Sequence, residues 1–144
     1  MTRRIDRIFI HCSATKPSQD IDAATIRTWH KKQGWNDIGY HWVIKRDGTR
    51  EKGRNESVVG AGVQGMNANS IHLCLIGGIA ESNGRPENNF TPNQWIELES
   101  LVRELRNRYP DVLVNGHNEY SNKACPCFDV QEWFKRTIDI SSLL

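Results

Sequence analysis

No stretch of the 144 residues comes near the ~20 consecutive apolar residues that a membrane helix needs. Mean hydropathy is −0.62, so no membrane segment is expected. An excess of one charge is missing too: 19 Lys and Arg stand against 17 Asp and Glu, a net charge of +2. A general nucleic-acid binder should carry a basic stripe. Here Arg103, Arg106 and Arg108 share a polar helix face with Glu97, Glu99 and Glu104, the pattern of a solvated surface. The charged start, Met1 to Asp6, is followed by neither an apolar segment nor a small-residue cleavage site. No signal peptide is expected, and synthesis in the cytoplasm is. Internal repeats and low-complexity segments are lacking. Cysteines are few: Cys12, Cys74, Cys125 and Cys127 allow three pairings. A reducing compartment favours metal or catalytic use over disulfides.

What is present suits one domain over 1–144, with a catalytic core at about 5–137. A chain of this length buries enough surface to need no covalent staple. Ile5 to His11 reads as an interior strand, because Ile8, Phe9 and Ile10 form a continuous apolar run. Asp22 to Gln33 reads as a helix, with Ile26, Trp29 and His30 at helical spacing and Gly34 beyond its end. Ile38 to Lys45 reads as a strand that turns at Asp47-Gly48 and returns over Thr49 to Lys52. Ser70 to Ile76 is a second buried strand. Thr91, Pro92 and Gln94 give an N-cap, an N1 proline and a capping-box partner for a long helix. Its stripe is Trp95, Leu98, Leu101, Val102, Leu105 and Tyr109, and Pro110 ends it. Val112 to Val114 is a short strand, and Asp129 to Thr137 a last helix on the surface. Stretches 13–20, 53–69 and 77–90 are loop-rich. The order β-α-β-β-β-α-β-α specifies an α/β fold, a central mixed β-sheet flanked by helices.

His11 ends the first strand, His117 follows the last, and Cys125 lies eight positions further on. Strand ends are where a rigid scaffold meets accessible loops. Two imidazoles and a thiolate suit Zn²⁺, at ~2.0–2.1 Å for nitrogen and ~2.3 Å for sulfur, and three protein ligands leave one tetrahedral position open. Spacing alone leaves the other reading standing, two ordinary strand-end histidines and a buried thiol, because no HExxH helix is present.

Phe9-Ile10-His11-Cys12-Ser13-Ala14-Thr15-Lys16-Pro17-Ser18-Gln19 resembles the opening motif of the zinc N-acetylmuramoyl-L-alanine amidases of type 2, relatives of the peptidoglycan-recognition proteins. The likeness continues through Trp29-His30-Lys31, Gln33-Gly34-Trp35, Gly39-Tyr40-His41 and Ile44 to Gly48. It resumes at Asn69-Ser70-Ile71, Cys74 to Ile79 and Asn89 to Pro92, and closes on Lys123-Ala124-Cys125-Pro126 and Phe128-Asp129. The resemblance implies that His11, His117 and Cys125 hold one Zn²⁺ and that Tyr40 and Lys123 are the catalytic residues outside the metal shell. It also implies a mixed sheet flanked by helices. The sequence departs from the family's phage members in carrying Gly62 where they have histidine, His72 where glycine is usual, Asn118 beside the last histidine, and Cys127 in place of serine.

The activity implied is hydrolysis of the amide between the lactyl group of N-acetylmuramic acid and L-alanine in peptidoglycan, by a monomer acting on the wall after release. Zinc would activate water and polarise the carbonyl. Lys123 would face the oxyanion, and Tyr40 would orient water or assist proton transfer. Glu119 is the nearest acidic candidate to orient a histidine ligand. Cys12 and Cys74 read as small buried hydrophobes and Cys127 as a structural thiol. His30, His41, His72 and most of the tryptophans read as packing residues. The rivals are a peptidoglycan-binding module without catalysis, a cytosolic wall-fragment recycling amidase, and a nucleic-acid or partner-binding protein.

Overall fold

The computed structural model describes residues 3–139; Met1 and Thr2 of the charged start, and residues 140–144, lie outside the described residues. The expected order of elements is found: β1 (Arg7–Cys12), α1 (Ala23–Lys32), β2 (Trp42–Ile44), β3 (Arg50–Lys52), β4 (Ser70–Leu75), α2 (Pro92–Arg108), β5 (Leu113–Gly116) and α3 (Val130–Phe134). A 3₁₀ turn over His117–Glu119 follows β5, and a π turn over Lys135–Asp139 follows α3. The five strands form one mixed sheet in the order β3-β2-β4-β1-β5. β2, β4, β1 and β5 run parallel, and only the edge strand β3 is antiparallel.

β1 and β4 occupy the middle of the sheet and are covered on both faces, which explains their unbroken apolar runs. The pleat still divides them. Ile8, Ile10 and Cys12 of β1, with Ile71, Leu73 and Leu75 of β4, join Leu98, Leu101, Val102 and Leu105 of α2 in the larger core. On the other face Val43 and Cys74 pack with Ala23 and Ile26 of α1 and with Ile21, Ile38 and Ile76. α2 begins as its sequence dictates. The Thr91 side chain accepts from the Gln94 backbone N–H (3.1 Å) while the Gln94 side chain accepts from the Thr91 N–H (3.0 Å). The same Gln94, fully buried, donates its amide to the Ile44 and Ile76 carbonyls and so fastens the helix to two strand ends.

Two expectations change. The strand expected over 38–45 pairs in the sheet only at Trp42–Ile44. The carbonyls of Gly39, Tyr40 and His41 instead accept from the N–H groups of Ala61, Arg54 and Gly53, which tie this segment to the loop over 53–61. The last helix is not only a surface element: Gln131 and Glu132 are exposed as expected, but its other side is covered. It buries Val130 and Trp133, and Ile138 of the turn that follows, in the larger core.

Candidate metal centre and catalytic cleft

Parallel pairing of β1 with β5 brings distant residues together. Ile10 is level with Gly116, so His11 and His117, 106 positions apart, emerge side by side. Their Nδ1 atoms lie 3.2 Å apart. Cys125 is brought back by the loop after the 3₁₀ turn. Its Sγ lies 4.0 Å from His11 Nδ1 and accepts the Cys12 backbone N–H at 3.1 Å. One ligand atom from each of His11, His117 and Cys125 falls within 4.8 Å of the others, and this is the single such cluster of three or more among the described residues. His11 is buried, whereas His117 and Cys125 are half-buried and form the open side.

The electrostatics keep both rings neutral. Burial first, then the nearby His72, His117 and Lys123, holds the His11 imidazole well below its ordinary range. Burial, then Lys123, does the same more mildly for His117. Neutral imidazole offers a lone pair to a metal, and Lys123 lines the cleft together with His117. The Tyr40 ring lies 5.0 Å from that of His11. Burial, reinforced by the neighbouring Cys74, Cys125 and Cys12, raises its phenol well above the usual value, so it stays a protonated donor. A cleft of about 660 Å³ opens beside the cluster, lined among others by Trp35, Gly62, Gln64, His117, Tyr120 and Lys123. Tyr40, His11 and Cys125 lie behind this lining rather than on it.

A separate cavity of about 380 Å³, lined by Arg3, Trp42, Glu56, Arg108 and Tyr109, holds none of these residues. Its acid, Glu56, accepts from Trp42 Nε1, Tyr109 Oη and Arg108, each at 2.7 Å. The helix charges are likewise paired: Arg103 with Glu99, and Arg50 with Glu97 and Glu104.

Glu119 does not orient a histidine. Its carboxylate accepts from the Gly116 N–H (2.6 Å), Asn115 and Gln131, and so fixes the end of β5 from which His117 departs. The residue that meets His11 is His72, whose Nδ1 lies 2.9 Å from His11 Nε2. His72 is buried and stacked as a packing residue is expected to be; its contact with His11 comes in addition, and the signal for it is the paired departure at Gly62 and His72. Trp35 is a third exposed and lines the cleft rather than the core. All four cysteines are free: Cys12 and Cys74 are buried, and Cys127 donates to the Gly78 carbonyl.

A family model described as N-acetylmuramoyl-L-alanine amidase matches residues 1–128. The chain is 49% identical to the endolysin of Escherichia phage T7 over 137 residues, covering 95% of this chain and 90% of that one. It is also 49% identical to the endolysin of Enterobacteria phage K11 over 129 residues, covering 90% and 85%. Among solved structures, the N-acetylmuramoyl-L-alanine amidase LysC from Clostridium intestinale superimposes with a TM-score of 0.81 at 28% identity, over 95% of this chain and 87% of that one. Bumblebee PGRP-SA shares the fold with a TM-score of 0.77 at 24% identity, over 93% and 82%. The strand pairing, the cluster at its end and these likenesses agree: the chain belongs to the N-acetylmuramoyl-L-alanine amidase family.

Proposed function

We propose that this enzyme hydrolyses the amide between the lactyl group of N-acetylmuramic acid and L-alanine in peptidoglycan, with one Zn²⁺ held by His11, His117 and Cys125. The observation that carries the reading is the convergence of one ring nitrogen from each of His11 and His117 and the Cys125 sulfur within 4.8 Å beside an open cleft. The donor set fits the ion. Both imidazoles are kept neutral by their surroundings, the backbone N–H of Cys12 points at the sulfur and favours its thiolate, and three protein donors leave one tetrahedral position open. When bound there, zinc supplies Lewis acidity that makes water nucleophilic near neutral pH and polarises a carbonyl.

The chain's own residues do the rest. Lys123 carries its ammonium on the cleft wall beside His117, where it can meet the negative charge that grows on the carbonyl oxygen. Tyr40 packs against the inner side of the His11 ring and keeps its proton, so it serves as a hydrogen-bond donor and orienting group and does not act as a phenolate. Trp35 and Tyr120 give the cleft apolar walls for a sugar or peptide. All five residues come from one chain, so a monomer carries a complete site within about 5–137. The endolysin relatives favour lytic action on the wall after release over fragment recycling.

The test is product analysis on intact sacculi by mass spectrometry, with zinc content measured in the same preparation. Stem peptides with a free N-terminal alanine, one zinc per chain, and loss of both on chelation are expected. Full activity in a thoroughly metal-free preparation would overturn the zinc reading.

A further inference from the structure

His72 is a tightly held polar side chain that the reaction leaves unused. It is completely buried in β4. Its backbone neighbours across the sheet are Phe9 of β1, by register, and His41, whose N–H donates to the His72 carbonyl. The three rings form one stack across three chain segments: Phe9 to His72 at 5.6 Å and 10°, His72 to His41 at 5.8 Å and 9°. His41 is itself fixed. Its Nδ1 accepts the His72 backbone N–H (2.9 Å), so Nε2 carries its proton and donates to the Val58 carbonyl (2.8 Å). The His72 ring is therefore held in one plane, with Nδ1 aimed at His11 Nε2 at 2.9 Å.

Room for that ring is made by glycine. A Cβ on Gly62 would fall 2.3 Å from His72 Nδ1, and one on Gly60 would fall 2.7 Å from the His41 ring and 2.9 Å from that of His72. Neither glycine has a positive φ, so the requirement is clearance alone.

We infer that His72 is a positioning residue for the metal centre: its Nδ1 accepts the Nε2 proton of His11, which leaves the His11 Nδ1 lone pair facing His117 and Cys125, and Gly62 keeps the space this contact needs. The inference rests on the zinc reading above. A neutral imidazole carries one ring proton, so whichever nitrogen the partner occupies decides which one can bind a metal. His72 then carries its own proton on Nε2, and that atom is the one buried side-chain nitrogen or oxygen without a partner among the described residues. An orphaned donor is what a fold tolerates where a group is held for function rather than for stability.

The test crosses two substitutions against two readouts: zinc affinity by chelator competition, and thermal unfolding of the metal-free protein. His72→Leu keeps the volume and removes the acceptor. Metal-free stability is expected to hold while zinc dissociation rises about 10–100-fold, the usual effect of losing a group that orients a ligand. His72→Asn keeps an acceptor near the Nδ1 position and opens a void, so stability should fall while zinc affinity stays near wild type. Gly62→Ala, which alters no ligand, should weaken zinc binding by pushing the ring aside, and it serves if a His72 variant does not fold. In the zinc-loaded wild type, ¹⁵N NMR should show His11 Nε2 protonated. Zinc affinity that follows stability in both His72 variants, or an unprotonated His11 Nε2, overturns the inference and leaves the zinc reading intact. A wild-type protein that binds no zinc removes both.

Discussion

The two faces of the central sheet are built from the same strands and do opposite work. Toward α2, β1 and β4 present Ile8, Ile10, Ile71, Leu73 and Leu75, all at 0% exposure among other aliphatic groups. Toward the loop over 53–69 the same strands present Phe9, His11 and His72, equally buried, and the two histidines bear ring nitrogens. One residue of strand register separates a face that burial alone satisfies from one that also carries buried ring nitrogens. The aliphatic face tolerates any side chain of suitable volume. On the histidine face the position of a ring nitrogen matters beside volume, because a buried polar atom that loses its partner is costly.

Four experiments sharpen or break that contrast. The largest effect is expected at Cys125→Ser, which should lose zinc and abolish amide hydrolysis while the far-UV spectrum is kept; near-wild-type turnover with no metal would remove the distinction between the faces. Lys123→Ala should lower kcat by about 10²–10³-fold with the melting temperature unchanged, since the side chain meets charge only as it develops. Steady-state kinetics beside calorimetry decides this. Leu101→Ala on the opposite face should cost about 2–5 kcal/mol in denaturant unfolding, with zinc affinity and kcat unaltered at temperatures where the protein is folded. A large change in zinc affinity would show that the faces are coupled.

The last is pH dependence. Burial, the largest cause, lowers His41 from 6.5 to about 4. The folded ring stays neutral while the unfolded ring binds a proton, so stability is complete above pH 6.5 and declines as pH falls toward 4. The loss amounts to at most about 3 kcal/mol from this group. An NMR titration of His41 with a midpoint near 6 in the folded protein would cancel the effect.

Much of this was legible in the residues. The capping box of Thr91 and Gln94 placed the start of α2, and the apolar runs placed β1 and β4, because those signals are local. The pairing of His11 with His117 is not local. It follows from β5 lying against β1, and only the family resemblance anticipated it. The burial of Val130 and Trp133 escaped notice because a helix of five residues carries too little periodicity to show which side is covered. The approach of His72 to His11 is hidden for a related reason. Nothing in its neighbours along the chain reveals that its ring reaches His11, two residues along the adjacent strand from its register partner Phe9.

The proposed ligands come from opposite ends of the described chain, the two imidazoles 106 positions apart and His11 and Cys125 114 positions apart. An ion gripped there is a clasp that closes a long loop, and the unfolded chain scarcely holds its donors close enough to compete. Free zinc at a hundred times its dissociation constant would then add about 2.7 kcal/mol to the folded state. On the proposed zinc reading, the melting temperature would become a gauge of metal supply, rising with each increment of zinc and falling when a chelator withdraws it.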